Sequence, residues 1–184
     1  MMDTLSTTLG DELEAAVRRT LEAACAKELS IATAESCTGG LVASLLTDIE
    51  GKSHAFECGY AVYSDAAKTT ALGVPAALVA EEGAVSRPVA LAMAEGALAR
   101  SEADVALAVT GFAGPAGEGS EEGLVHFACA RRGGSTAHRE AHYGSIGRTR
   151  VRLECVKVAM EMLMEAIAEE DPAPDAAGEP GERS

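Results

Sequence analysis

The 184-residue chain is 47% hydrophobic but only 3% aromatic, without Trp, so it has the size for one compact domain whose core must be built from small aliphatic side chains. A formal net charge of −14 excludes a broad basic footprint for nucleic acid, although a few backbone N–H groups and one or two basic side chains can still hold a small anion at close range. Cysteines at 25, 37, 58, 129 and 155 form no CxxC pair or zinc spacing with the four histidines, no apolar run reaches bilayer length, and the first residues lack a signal-peptide pattern. The expectation is therefore reduced thiols, no metal, no membrane and a cytoplasmic location.

From Asp11 to Lys27 the apolar positions recur at three- and four-residue intervals, which predicts an amphipathic helix. Leu29 to Ala34 reads as a strand, and Cys37 to Ile49 as a helix whose first turn holds Gly39 and Gly40, with the junction at Glu35 and Ser36. Ala55 to Tyr63 is a further strand, followed by a short helix from Asp65 to Leu72, stopped by Gly73 and Pro75, from which Lys68 projects. Pro75 to Glu82 and Arg87 to Arg100 read as helices, and Asp104 to Thr110 as the clearest strand.

The Gly-rich segment 111–119 leads to Leu124 to Ala130 and, past Gly133 and Gly134, to Thr136 to Tyr143, a pair that reads as a hairpin. Arg148 to Glu169 carries the periodicity of a long helix. Residues 9–170 are thus one domain, and 171–184 read as a disordered acidic tail. Alternating strands and helices with one hairpin imply an α/β fold, a mixed sheet covered by helices on both faces. Local patterns leave the strand order open.

Three strand ends carry candidate chemistry. Ala34-Glu-Ser-Cys-Thr-Gly-Gly40 sets polar groups and two glycines where a strand turns into a helix, a place where free N–H groups can receive an anion or a developing oxyanion beside Ser36. The structural alternative is that Ser36 or Thr38 is an N-cap and the glycines ease packing. The segment is not a Gly-x-Ser-x-Gly elbow, and no histidine sits in a site motif, so a Ser-His-Asp triad has little support.

Tyr63-Ser-Asp-Ala-Ala-Lys68 offers another activator, because a desolvated lysine can act as a neutral base; considered singly, Lys68 reads as a solvated surface group and Tyr63 as a core tyrosine. Val109-Thr-Gly-Phe-Ala-Gly-Pro115 presents the Thr110 hydroxyl and a flexible loop, or else a strand-terminating turn. Cys37 is a rival nucleophile whose ordinary role would be an inert buried thiol. Arg148, Arg150 and Arg152 open the last helix and could reach a phosphate; their order does not tell which one does.

Taken together, AESCTGG at 34–40, AVYSDAAK at 61–68, LGVP at 72–75, GAVS at 83–86 and AVTGFAGP at 108–115, with GLVHFA at 123–128 and the arginine pattern at 147–152, resemble the CinA C-terminal family. That resemblance implies a three-layer α/β/α sandwich, a homodimer, and a catalytic set matched here by Ser36, Lys68, Tyr63 and Thr110. Stand-alone members, without the larger N-terminal domain for which this chain has no room, resemble deamidases of nicotinamide mononucleotide in pyridine nucleotide salvage. The implied partner is then a small nucleotide, with no cofactor, and the substrate-binding candidates are Thr38, Gly39, Gly40, Gly111 and Arg148. Departures from the family pattern are Phe112, Ala116 and a shortened loop through 118–122. The competing expectation is a catalytically silent module that uses the same cleft for nucleotide or protein binding.

Overall fold

The computed structural model describes residues 10–169 apart from 116 and 118; the tail expected at 171–184 lies outside the described residues. In chain order the elements are α1 (Asp11–Ala26), β1 (Ile31–Glu35), α2 (Leu41–Leu46), a 3-10 turn (Ser53–Ala55) and β2 (Phe56–Ala61). Then follow α3 (Asp65–Leu72), α4 (Ala76–Glu82), α5 (Arg87–Ala99), β3 (Val105–Gly111), β4 (Leu124–Arg131), β5 (Thr136–His142) and α6 (Arg148–Ala168).

The five strands form one mixed sheet in the order β2-β1-β3-β4-β5. β1 runs parallel to both β2 and β3, whereas β3, β4 and β5 are antiparallel in succession. The expected hairpin is the β4–β5 pair.

Period-two alternation gives the sheet two different faces. In β3, Val105, Leu107 and Val109 join Ile31, Phe127 and Cys129 in a core packed by α1, α2 and α6. The intervening Ala106 and Ala108, with Ala32, Ala34, Ala128 and Ala130, make a small-residue face on which α5 lies, flanked by α3 and α4. Small side chains let that helix layer approach closely, which is how a chain so poor in aromatics fills its interior. Gly96 of α5 shows the limit: a Cβ there would come within 2.1 Å of the Leu72 carbonyl oxygen.

The result is the expected three-layer α/β/α sandwich. Element boundaries fall within two residues of expectation except for the helix expected from Cys37 to Ile49, which is confined to Leu41–Leu46. Its first residues instead form a turn, because Gly39 and Gly40 adopt φ of +63° and +92°, a left-handed geometry that glycine reaches without steric cost. The parallel strands β1, β2 and β3 end on the same side of the sheet, with Ser36, Tyr63 and Thr110 at or just beyond their carboxyl ends, the usual location of ligands in open α/β sheets.

Candidate active site

Ser36 continues β1 by one residue, its N–H donating to the Val109 carbonyl at 2.9 Å. Its own carbonyl accepts the Gly39 N–H at 3.2 Å and closes the turn into α2. The helix start is not left open. Glu35 turns its carboxylate, 1% exposed, beneath α2 and accepts N–H bonds from Gly40 (3.0 Å), Val42 (3.1 Å) and Ala43 (2.8 Å).

The expectation that N–H groups near Thr38, Gly39 and Gly40 receive an oxyanion or the substrate is thereby corrected for Gly39 and Gly40. Gly39 and Gly40 donate within the protein, and none of the three residues lines the cavity beside Ser36. The physical reason is that one buried carboxylate fills the helix N-terminus from inside. Glu35→Ala would leave three donors without their acceptor at a cost of about 3 kcal/mol, read as a lowered urea midpoint, with Glu35→Gln falling between it and the parent because its amide oxygen retains one acceptor.

That cavity, about 240 Å³, is lined by Ser36, Tyr63, Lys68, Thr110 and the loop from Gly111 to Pro115, with Arg148 at its edge. Lys68 is no surface lysine: only 1% of it is exposed. The helix that carries it is started by Ser64, whose Oγ accepts the Ala67 N–H at 3.1 Å. The Lys68 ammonium has the Tyr63 carbonyl at 3.4 Å and Asp65 Oδ1 at 3.8 Å, too few acceptors for three N–H donors. Burial pushes its pKa down, with Asp65 pulling the other way, as desolvation does to a buried amine.

Tyr63 is 71% exposed, so it stands at the mouth of the cavity rather than in the core. Thr110 is buried and donates from Oγ1 to the Ala84 carbonyl at 2.7 Å. This pins the loop between α4 and α5, whose Ala84 and Val85 form another wall of the cavity, and leaves the lone pairs of Oγ1 able to accept. Gly111 is confined, since a Cβ would meet Leu124 O at 2.8 Å. Among the described residues no hydrogen bond joins Ser36 Oγ to Lys68 Nζ; such contacts commonly close only around substrate.

The structure separates the three arginines. Arg152 donates from Nε to the Cys37 carbonyl at 2.8 Å and so braces the serine turn. Arg150 is exposed and away from the cavity, whereas Arg148 lines it and lies so close to Gly114 that a Cβ there would sit 2.8 Å from the guanidinium. Cys37 borders the cavity but belongs to the aliphatic cluster beneath α6, where a hydrogen bond from Cys155 holds its thiol below the usual value against the effect of burial.

None of the four histidines lines this cavity; His126 and His138 pair with each other at 3.1 Å farther along β4 and β5. The buried role of Glu35 and the walls formed by Ala84 and Val85 were missed by sequence reasoning. The GAVS block at 83–86 was a signal for the latter, since it stood among the ordered blocks without any assigned task.

The CinA C-terminal domain family matches residues 12–167. The chain belongs to that family. A CinA-like protein of Akkermansia muciniphila is 54% identical over 112 residues, which is 60% of this chain and 27% of that protein. Another from Mycobacterium sp. strain MCS is 50% identical over 141 residues, 75% of this chain and 33% of that one. The chain thus spans about a third or less of the length of these curated relatives.

Among solved structures, the competence/damage inducible protein CihA from Agrobacterium tumefaciens superposes with a TM-score of 0.82 at 46% identity, covering 85% of this chain and 96% of that one. The CinA fold therefore extends over nearly all the described residues. No helix among them is long and apolar enough to cross a membrane.

Proposed function

We propose that this CinA-family protein is a cytoplasmic amidohydrolase that converts nicotinamide mononucleotide and water to nicotinate mononucleotide and ammonia. The observation that carries the reading is the placement of Ser36 and the buried, poorly solvated Lys68 amine in one cavity with Arg148, which has no ion pair among the described residues, at its edge. Family resemblance supplies the carboxamide substrate, and Arg148 is suited to its phosphate.

In this mechanism neutral Lys68 accepts the Ser36 proton as Oγ attacks the carboxamide carbon. With Gly39 and Gly40 engaged elsewhere, the oxyanion falls to the N–H of Cys37 and those of Ala113 and Gly114 in the facing loop. All three residues border the cavity, and among the described residues no hydrogen bond occupies the N–H groups of Ala113 and Gly114. Lys68 returns the proton to the leaving nitrogen, ammonia departs, and water hydrolyses the serine ester to the carboxylate while Lys68 again takes and returns a proton. Thr110 Oγ1, its own hydrogen committed to Ala84, is oriented to accept from this relay.

The test is ammonia release by purified protein from nicotinamide mononucleotide, nicotinamide riboside and nicotinamide. Release from the mononucleotide well above the other two is the expected result. Release only from another carboxamide would replace the substrate, and none from any, with ligand still bound, would favour the silent binding module.

A further inference from the structure

The mechanism makes no use of Asp65, yet it is the one carboxylate among the described residues that line the cavity. It stands at the first position of α3 and is 67% exposed. Its cationic neighbour among the described residues is Lys68 at 3.8 Å, beyond hydrogen-bond distance. A base must be neutral to act, so in the active protonation state Asp65 faces the cavity without a counter-charge.

A bare carboxylate in a site that takes a phosphate is a liability unless the ligand brings positive charge of its own. We propose that Asp65 is a specificity-determining residue that pairs with a positively charged ring on the substrate, so that the site selects a zwitterion: a cationic aromatic carboxamide joined to an anionic group. This rests on the deamidase reading for the identity of the site and deepens it by naming the charge state that is recognised.

Two further features agree. Asp65 from α3 and Arg148 from α6 bring opposite charges to the cavity from different helices, matching a ligand with its charges at two ends. The aromatic residues Tyr63 and Phe112 line the same cavity, and an aromatic face favours a cationic ring over a neutral one. There is also a consequence for the base. A cation held by Asp65 lies near Lys68 and disfavours its protonated form, so a charged-ring ligand expels a proton from Lys68 on binding and a neutral ligand does not.

The experiment compares the binding of nicotinamide mononucleotide and of its 1,4-dihydro form, which keeps the phosphate and carboxamide but has an uncharged ring. Calorimetry is done on Ser36→Ala, where no turnover intervenes, with and without Asp65→Asn, in buffers of different ionisation enthalpy. The expected result is a preference for the charged ring that falls about fivefold on Asp65→Asn, as suits one partly exposed charge pair. That effect shrinks with added salt and is accompanied by proton release for the charged form alone.

An equal preference with and without Asp65, or failure of both forms to bind, would overturn the proposal. Ammonia release is scored separately on the unmodified protein: Asp65-dependent binding without turnover would sink the deamidase reading and leave the specificity residue standing. Turnover with an Asp65-independent preference would do the reverse.

Discussion

Ser36→Ala will leave a folded protein that releases ammonia from nicotinamide mononucleotide at least about a thousandfold more slowly than the parent, the scale on which loss of a nucleophile acts. The fold should not register the change. Ser36 is anchored to β3 through its backbone N–H and to Gly39 through its carbonyl, and both bonds survive replacement of the side chain. The check is a pair of measurements, steady-state ammonia release and the thermal unfolding midpoint. Unchanged turnover would remove Ser36 from the mechanism and direct attention to Cys37 or an activated water.

Lys68→Met should separate activity from stability in the opposite sense. Removing the base is expected to cost about a hundred- to ten-thousandfold in rate. Stability should rise by about 1–2 kcal/mol at neutral pH, because an apolar side chain of similar length replaces a buried amine that lacks acceptors. The sign follows from proton binding. Burial lowers the folded-state pKa of Lys68 below its ordinary 10.5, so between the two values the unfolded chain holds more protons and the parent gains stability as pH rises.

Below the folded-state value the penalty is complete, and above 10.5 it is gone. The advantage of Lys68→Met should therefore be largest below the lowered folded-state value and fade towards alkaline pH in urea titrations. A variant less stable than the parent at neutral pH would show that Lys68 is held by more than the two contacts seen. In the parent, kcat/KM should climb with pH through the same lowered pKa, and Lys68→Arg, which cannot lose its proton, should lack that limb.

Stability given up at Lys68 contrasts with Glu35, one residue before Ser36. Both are charged groups buried next to the same cavity, but Glu35 has three N–H donors and Lys68 one long contact to a carbonyl and a distant carboxylate. The satisfied group holds the serine turn in place. The unsatisfied one is the group to which the proposed mechanism gives the proton transfer, and local violations of polar pairing are expected where they serve chemistry.

Much of this was legible along the chain because it depends on near neighbours. Helix periodicity marked α1, α5 and α6, Asp104 to Thr110 read as the clearest strand and is β3, and Gly73 and Pro75 ended α3 where expected, since capping and left-handed turns are set within a few residues. The ordered blocks at 34–40, 61–68 and 108–115 also pointed to Ser36, Lys68, Tyr63 and Thr110, because each block spans a strand end and a family resemblance needs no coordinates.

What the chain could not declare were facts of contact across long separations. Strand order depends on how whole connections cross the sheet. Lys68 looked like a solvated lysine, and its burial follows from the docking of α3 against α4 and α5 and from a cavity it shares with Ser36 and Thr110, which come from elsewhere in the chain. Nothing in 148–152 distinguishes the arginine that braces Cys37 from the one that faces the cavity; their different directions around α6, docked on the serine turn, decide it. The glycines after Ser36 were read as open donors because sequence records which N–H groups a helix start offers, whereas only the tertiary fold, by turning the Glu35 side chain inward, determines whether an acceptor has already taken them.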